Sequence, residues 1–314
     1  MNYYFAPMEG LTDSVYRRVH HQYFSGVTAY YMPFLSPTMH RTLTPREKRE
    51  LPPADSVPFR AVPQILTRIP EDFLWAAEKC SELGYDEVNL NLGCPSGTVT
   101  AKGKGAGMLR DPKELDKFLC AIFSHSALPI TVKTRLGFTS AEEFPALMEI
   151  FNRYPMKELT LHPRVRQAFY SGDVDMNGFR YLLANAKMPV CYNGNLNNET
   201  EILKIQEDYP QITSIMIGRG LIGDPGMLTP GGTTIAALEG FLHALQEEYC
   251  IAFGSSRNAM FRLKENWRHL LCLFDEAEKL GKQLRKTTDI TEYETIVNQI
   301  LHTLPLRQTL QPDW

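Results

Sequence analysis

Short apolar runs and longer amphipathic stretches take turns along the first two thirds of the chain. Eight runs, at 3–7, 27–32, 59–66, 86–92, 129–134, 158–163, 189–194 and 212–218, are mostly rich in Val, Ile, Tyr and Leu and bounded by Gly, Pro or Asp. That pattern predicts β-strands. Between most of them apolar residues recur with a helical period, at 13–23, 71–83, 112–123, 141–151 and 199–207. In "TSAEEF", Ser140 stands three residues before Glu143, a capping-box spacing that predicts a helix start. Eight strand–helix units over about 220 residues predict an α/β fold, a (β/α)8 TIM barrel, whose usual size is roughly 250 residues. A doubly wound open sheet is the alternative. After about residue 230 the alternation stops. The stretches 233–253, 262–282 and 290–304 are helical in period with no strand among them. They predict a C-terminal all-helical domain over 236–314, following a barrel over 1–235.

Composition adds limits. With 314 residues, 43% hydrophobic and 22% charged, the chain has ample material for a core. Its net charge of −3 and pI of about 6.3 give no global reason for a nucleic-acid partner, so such a surface must be a local patch. No apolar run approaches the roughly 20 residues that span a bilayer, and the first residues carry no signal-peptide pattern. No membrane association is expected. The six cysteines are scattered without a Cys-x-x-Cys pair, so neither a disulfide framework nor a metal site is expected, and a reducing cytoplasm suits free thiols. Five of them lie in strongly patterned segments, as buried cysteines do. Cys94 differs, because it lies in a Gly-Cys-Pro turn.

Polar residues collect at the predicted strand ends, where barrels of this kind hold their active sites. "APMEG" follows the first strand. Gln64 lies in the third, Asn89 and Asn91 in the fourth, and Cys94 just beyond. Lys133 and Arg135 lie in the fifth, and His162, Arg164 and Arg166 in and after the sixth. The seventh ends in Asn193, Gly194 and Asn195, and the eighth in Gly218, Arg219 and Gly220. The last two turns have the character of a phosphate site, built from backbone amides, glycine and one arginine. Gln64, Asn91 and Lys133 offer groups that hold a flat heterocycle, and a lysine beside such a ring stabilises negative charge on its reduced form. Flavin mononucleotide (FMN) fits these groups best. "KGKGAG" lacks the Gly-Lys-Ser/Thr ending of a phosphate-binding P-loop.

The ordered set "APMEG", "NLNLGCPS", "GKGAGML", "TVKTRLG", "LHPR", "NGN" and "GRG" resembles the tRNA-dihydrouridine synthases, from residue 4 to about 220. The resemblance implies an FMN enzyme, reduced by NADPH, that saturates the 5,6 double bond of particular uridines in tRNA. It implies that Cys94 is the general acid that protonates uracil C5. Pro7, Met8 and Glu9 would pass close to the flavin, and Gln64 and Lys133 would bind its ring. His162, Asn193, Gly194, Asn195, Gly218 and Arg219 would surround its ribityl and phosphate. Asn91 and Arg135 would sit near the uracil, with Arg164 and Arg166 on uracil or RNA phosphate. Lys102 and Lys104 would replace a lysine that many members carry where Gly97 stands here. Asn195 likewise stands where an acid is common. The partners expected are tRNA and NADPH, and the chain is expected to act as a monomer. Arg257, Lys264 and Arg268, at near-helical spacing, are the candidate basic stripe of the helical domain.

Overall fold

The computed structural model describes residues 1–312. All eight predicted strands form, and all are parallel. The order across the sheet is β3-β2-β1-β9-β8-β7-β6-β5-β4. The strands are β1 (Asn2–Phe5), β2 (Ala29–Tyr31), β3 (Ala61–Val62), β4 (Gln64–Ile65), β5 (Val88–Leu92), β6 (Ile130–Gly137), β7 (Glu158–Val165), β8 (Val190–Tyr192) and β9 (Ser214–Ile217). The two ends of that order are one chain segment. β3 pairs with β2 and β4 with β5, and only Pro63 separates them. Proline has no N–H for a ladder, so it splits the strand while its carbonyl still accepts from the Asn89 amide at 2.8 Å. The sheet therefore closes on itself as an eight-stave barrel, nine strands with β3 and β4 counted as one. The open-sheet alternative is thereby set aside.

Contacts divide the chain into two compact units. The first comprises Met1–Pro7, Thr28–Gly194 and Tyr209–Met216, and the second Met8–Val27, Asn195–Asp208 and Ile217–Trp314. In the first unit, β5 shows how sequence becomes barrel. Val88, Leu90 and Leu92 alternate with Asn89 and Asn91, and all five are buried. A strand covered on both faces accepts two different surroundings. Tyr4, Ala6, Ala29, Tyr31, Val62, Cys191 and Met216 cluster as an apolar core. Across β4 to β7 the register instead brings polar residues side by side: Gln64 beside Asn89, Asn89 beside Thr131, Asn91 beside Lys133, and Lys133 beside Thr160. Barrel interiors are usually filled by bulky branched side chains. This one gives part of its volume to amides and hydroxyls.

Pro70–Glu82, Pro112–His125 and Phe144–Phe151 are helices of the first unit at predicted places. The box at Ser140 and Glu143 forms as its spacing predicts, at the head of a short 3-10 turn that leads into the third of these. Met176–Asn185 was not legible, because it buries only Phe179 and Leu182 and leaves a weak period.

The second unit is helical and takes in Ser14–Tyr23, Glu199–Asp208 and the whole of 236–314. Its core includes Phe241, Leu245, Tyr249, Met260, Leu263 and Trp267. The Tyr249 hydroxyl donates to Asp13 at 2.9 Å, and Trp267 Nε1 donates to Tyr293 at 3.0 Å. One expectation needs correction here. The stretch 262–282 reads as one helix but is divided between two, Ser256–Leu270 and Glu278–Lys286. Cys272, Leu273 and Phe274 are buried in succession, which no single helix face allows. Phe274 instead makes an antiparallel bridge to Leu306, and Glu276 turns the chain with φ of 56°. Among the described residues no helix is long and apolar enough to cross a membrane.

Candidate functional site

The residues singled out in the sequence fall at the ends of the strands. In the first unit Gln64, Asn91, Arg135 and Arg166 are linked by hydrogen bonds in and around the turn that follows β5. Asn91 is the last inward amide of that strand, and its Oδ1 accepts from the backbone N–H of Gly93 at 3.0 Å and of Cys94 at 2.9 Å. This bends the chain so that Cys94 is partly exposed; of the five cysteines expected to be buried, Cys80, Cys191 and Cys272 are, whereas Cys120 is exposed and Cys250 partly exposed on their helices. Burial pushes the Cys80 thiol up to about 12. Gly105 closes the loop from the other side. Its φ is +57°, and a Cβ there would lie 3.0 Å from the Cys94 Cβ, so a side chain would be disfavoured on both counts.

Three arginines brace this turn and its neighbours. Arg135 Nε donates to the Gly93 carbonyl at 2.8 Å, and its Nη1 donates to those of Val165 at 3.1 Å and Phe169 at 2.6 Å. Arg166 Nε donates to the Pro95 carbonyl at 2.9 Å and its Nη2 to Thr100 Oγ1 at 3.2 Å. Arg164 donates to His162 Nε2 at 2.8 Å and to the Gly172 carbonyl. The guanidinium has no acceptor, so His162 Nε2 must accept, and a neutral His162 carries its proton on Nδ1. Lys104 Nζ donates to Ser36 at 3.0 Å, while Lys102 lies exposed on the same loop.

Lys133 stands beside Asn91 in the register. Burial, and secondly the charge of Arg135, push its amine down to about 7, with Cys191 and Cys94 opposing. No carboxylate is among the groups that act on it. A desolvated cation without an anionic partner is a natural receptor for developing negative charge. Asn193 Nδ2 donates to the Met216 carbonyl at 2.8 Å, which ties the end of β8 to β9. A Cβ on Gly194 would collide with the Tyr192 hydroxyl, so the backbone there is open only because the residue is glycine. Pro7 follows β1 directly.

The second unit carries the remaining candidates. The Met8 carbonyl accepts from the N–H groups of Leu11 and Thr12, at 2.9 and 3.0 Å, in the turn that holds Glu9. Gly218 caps the short helix Arg219–Gly223, and Arg219 Nη2 donates to Asn195 Oδ1 at 3.3 Å.

Sequence reasoning passed over several residues. Phe169 and Tyr170 are exposed aromatics beside the arginine brace. Arg166 lies 4.9 Å from the Phe169 ring and Arg135 5.3 Å from that of Tyr170. Phe169 also has φ of 49°, which a bulky side chain seldom adopts. The adjacent aromatics after "LHPRVRQA" were the available signal. Thr131 was missed because a threonine in a buried strand is unremarkable on its own.

A closed parallel barrel that carries a partly exposed thiol just beyond β5 and a lysine on the neighbouring strand defines an α/β-barrel enzyme. Residues 4–300 match the Dihydrouridine synthase (Dus) family, and the chain belongs to that family. It is 28% identical over 223 residues to a tRNA-dihydrouridine synthase B of Pasteurella multocida, an alignment covering 71% of this chain and 66% of the relative. It is 27% identical to one of Proteus vulgaris, over 70% of this chain and 67% of that one. The chain thus aligns with about two thirds of the length of these relatives. Among solved structures, a variant of morphinone reductase in complex with tetrahydroNAD superposes with a TM-score of 0.50 at 10% identity, covering 72% of this chain and 85% of that one. That likeness concerns the fold.

Proposed function

We propose that this protein is a tRNA-dihydrouridine synthase that uses FMN and takes its electrons from NADPH. The observation that carries the proposal is the Gly93–Cys94–Pro95 turn, braced by Arg135 and Arg166, with Lys133 beside Asn91 in the register. Family membership and the names of the relatives support the substrate class. The residues present suit the flavin: Lys133 is a desolvated amine on which, among the described residues, no carboxylate acts, and the strand ends offer the amides of Gln64 and Asn91 and an open backbone at Gly194. When bound, the reduced flavin supplies a hydride to uracil C6.

The chain's own residues do the rest. The Cys94 Sγ–H gives its proton to C5, which completes addition across the double bond. Its braced backbone holds the sulfur in place, so little orientation is lost at the moment of reaction. Gln64 and Lys133 hold the ring, and the Lys133 ammonium offsets negative charge on the reduced form. His162, Asn193 and Gly194 line the ribityl side. By the resemblance, Asn195, Gly218 and Arg219 would hold the phosphate, and Pro7, Met8 and Glu9 would pass along the ring. Asn91 faces the uracil. Arg135, Arg164 and Arg166 act mainly through the backbone they hold. Incubation of undermodified tRNA with the protein, FMN and NADPH, followed by nucleoside mass spectrometry, tests this. Dihydrouridine is expected, and its absence with flavin-loaded protein would reject the proposal.

Arg219→Ala should weaken FMN binding about tenfold, because a charge-assisted phosphate contact is lost. Riboflavin affinity should hardly move, and equal weakening of both ligands in fluorescence titrations would count against the assignment.

RNA contact is proposed for Lys102, Lys104 and the exposed side of Ser256–Leu270. On that helix Phe261 is exposed, with Arg257 at 5.7 Å and Lys264 at 5.3 Å from its ring; Lys264 is half-buried and donates to the Thr287 carbonyl at 2.7 Å, and Arg262 is engaged with Asp13 and the Gly10 carbonyl. Alanine at Arg257, Lys264 and Arg268 together should flatten the salt dependence of tRNA affinity. The slope should fall by up to about 0.7–0.9 for each lost phosphate contact. An unchanged slope would move the RNA elsewhere.

A further inference from the structure

Four side chains in the barrel interior form one continuous hydrogen-bonded series. Asn91 Nδ2 donates to Gln64 Oε1 at 2.7 Å, Gln64 Nε2 donates to Asn89 Oδ1 at 2.8 Å, and Asn89 Nδ2 donates to Thr131 Oγ1 at 2.9 Å. All four are buried, Asn89 completely. An amide can in principle face either way, so what matters is whether the ends of the series leave a choice. They do not. At one end Asn91 Oδ1 accepts from two backbone N–H groups, those of Gly93 and Cys94, so only an oxygen fits there. Its Nδ2 must then face Gln64, which must answer with oxygen. The Gln64 nitrogen in turn requires oxygen from Asn89. At the other end the Thr131 hydroxyl lies 3.4 Å from the Val88 carbonyl, an acceptor only, so Thr131 is free to accept from Asn89. The Asn91 end imposes this polarity on the whole series, and the Thr131 hydroxyl, which can donate or accept, is compatible with it. Each amide nitrogen carries two N–H bonds and gives one to the series, leaving one on Gln64 and one on Asn91.

We infer that Asn89 is a positioning residue for the flavin and uracil site: it sets the orientation of the Gln64 amide and, through it, that of Asn91. The inference rests on the function proposed above, in which Gln64 and Asn91 meet the flavin ring and the uracil. Asn89 itself is completely buried, with its side chain bonded to Gln64 and Thr131. Were its oxygen removed, Gln64 would keep one partner where it now has two, and a buried N–H would be left without an acceptor. An amide freed at one end samples other orientations, and the N–H offered to a ring carbonyl is then present only part of the time.

The test compares Asn89→Leu with Asn89→Asp. Leucine keeps the volume but removes the acceptor. An aspartate carboxylate still accepts from Gln64 Nε2, and the Thr131 hydroxyl can rotate to donate to its other oxygen. A purely structural role predicts that aspartate does more harm, since it buries a charge. The positioning role predicts the reverse order for ligand binding. FMN titrations of the apoprotein should show Asn89→Leu at least about tenfold weaker than wild type, and Asn89→Asp within about threefold of it. Aspartate as harmful as leucine, or leucine without effect, would overturn the inference.

A second measurement needs no flavin. Asn89 and Asn91 are linked through Gln64 in the observed series. Urea unfolding of Asn89→Leu, Asn91→Leu and the double variant should show non-additivity of at least about threefold in the unfolding constant. Additive effects would show that the series is not a unit. If Asn89→Leu fails to fold, Thr131→Val, nearly isosteric, replaces it in that cycle. Wild-type apoprotein that takes up no flavin would reject the proposed function, while the apoprotein cycle still decides whether the amides are coupled.

Discussion

Cys94→Ala should keep its flavin and lose dihydrouridine formation by about 10²–10⁴-fold, the usual contribution of a positioned general acid. The turn should survive the change. Its bonds run through the Gly93 and Cys94 amides and the carbonyls of Gly93, Cys94 and Pro95, none of which needs the sulfur. Alanine keeps the Cβ that packs near Gly105. Flavin content by absorbance and unfolding midpoint should therefore stay near wild type while product falls. Near-normal turnover on natural tRNA would remove Cys94 from the proton step. Turnover lost together with flavin would point instead to a structural role for the thiol.

Lys133→Met should move stability and function in opposite directions. The amine is pushed down to about 7 from 10.5, chiefly by burial. Below about pH 7 folded and unfolded chains both carry the charge, and folding bears the whole cost of burying it. Between about 7 and 10.5 the unfolded chain binds the proton and the folded chain does not, so stability rises with pH across that window. Methionine removes this cost. The apoprotein of the variant should be more stable than wild type by about 1–2 kcal/mol at pH 6, and the gap should narrow as pH climbs above 7. Catalysis should fall by about 10²–10³, because a preorganised charge beside the ring is lost. Urea midpoints at pH 6 and 9 and single-turnover rates together check both halves. A variant less stable than wild type at pH 6 would mean that Lys133 is already neutralised by a partner.

The two substitutions separate what a side chain does for folding from what it does for chemistry. Cys94 is expected to contribute little to stability, because the bonds of its turn run through backbone groups. Lys133 is expected to detract from it, as desolvated groups at functional sites often do. Both stand near buried arginines, yet the arginines answer to a different need. Arg135 and Arg164 are almost wholly buried, and between them they donate to the carbonyls of Gly93, Val165, Phe169 and Gly172, at or beyond the ends of β5 and β7.

Much of this was legible along the chain. Strand positions follow from period-2 runs ended by Gly, Pro and Asp, and the Ser140 cap from a three-residue spacing, because both are local effects that neighbouring residues settle. The chemistry-bearing turns were legible for the same reason: Gly93–Cys94–Pro95 can be little else than a turn. The break between Leu270 and Glu278 was hidden, because a helical period continues through it, while the bridge from Phe274 to Leu306 and the turn at Glu276 that interrupt the helix depend on distant chain.

Strands, turns and the candidate thiol and lysine were thus settled by residue order, since propensity and period act over a few residues. Closure of the barrel through Pro63, the assembly of the helical unit from three separate stretches, and the employment of Arg135, Arg164 and Arg166 were decided by tertiary contacts. The direction of the Gln64, Asn89 and Asn91 amides was decided there as well. Gln64 meets Asn89 across 25 residues of chain, and Asn89 meets Thr131 across 42. A hydrogen bond needs its partner within about 3 Å, and in a parallel barrel that partner comes from the next strand, a helix and two loops away.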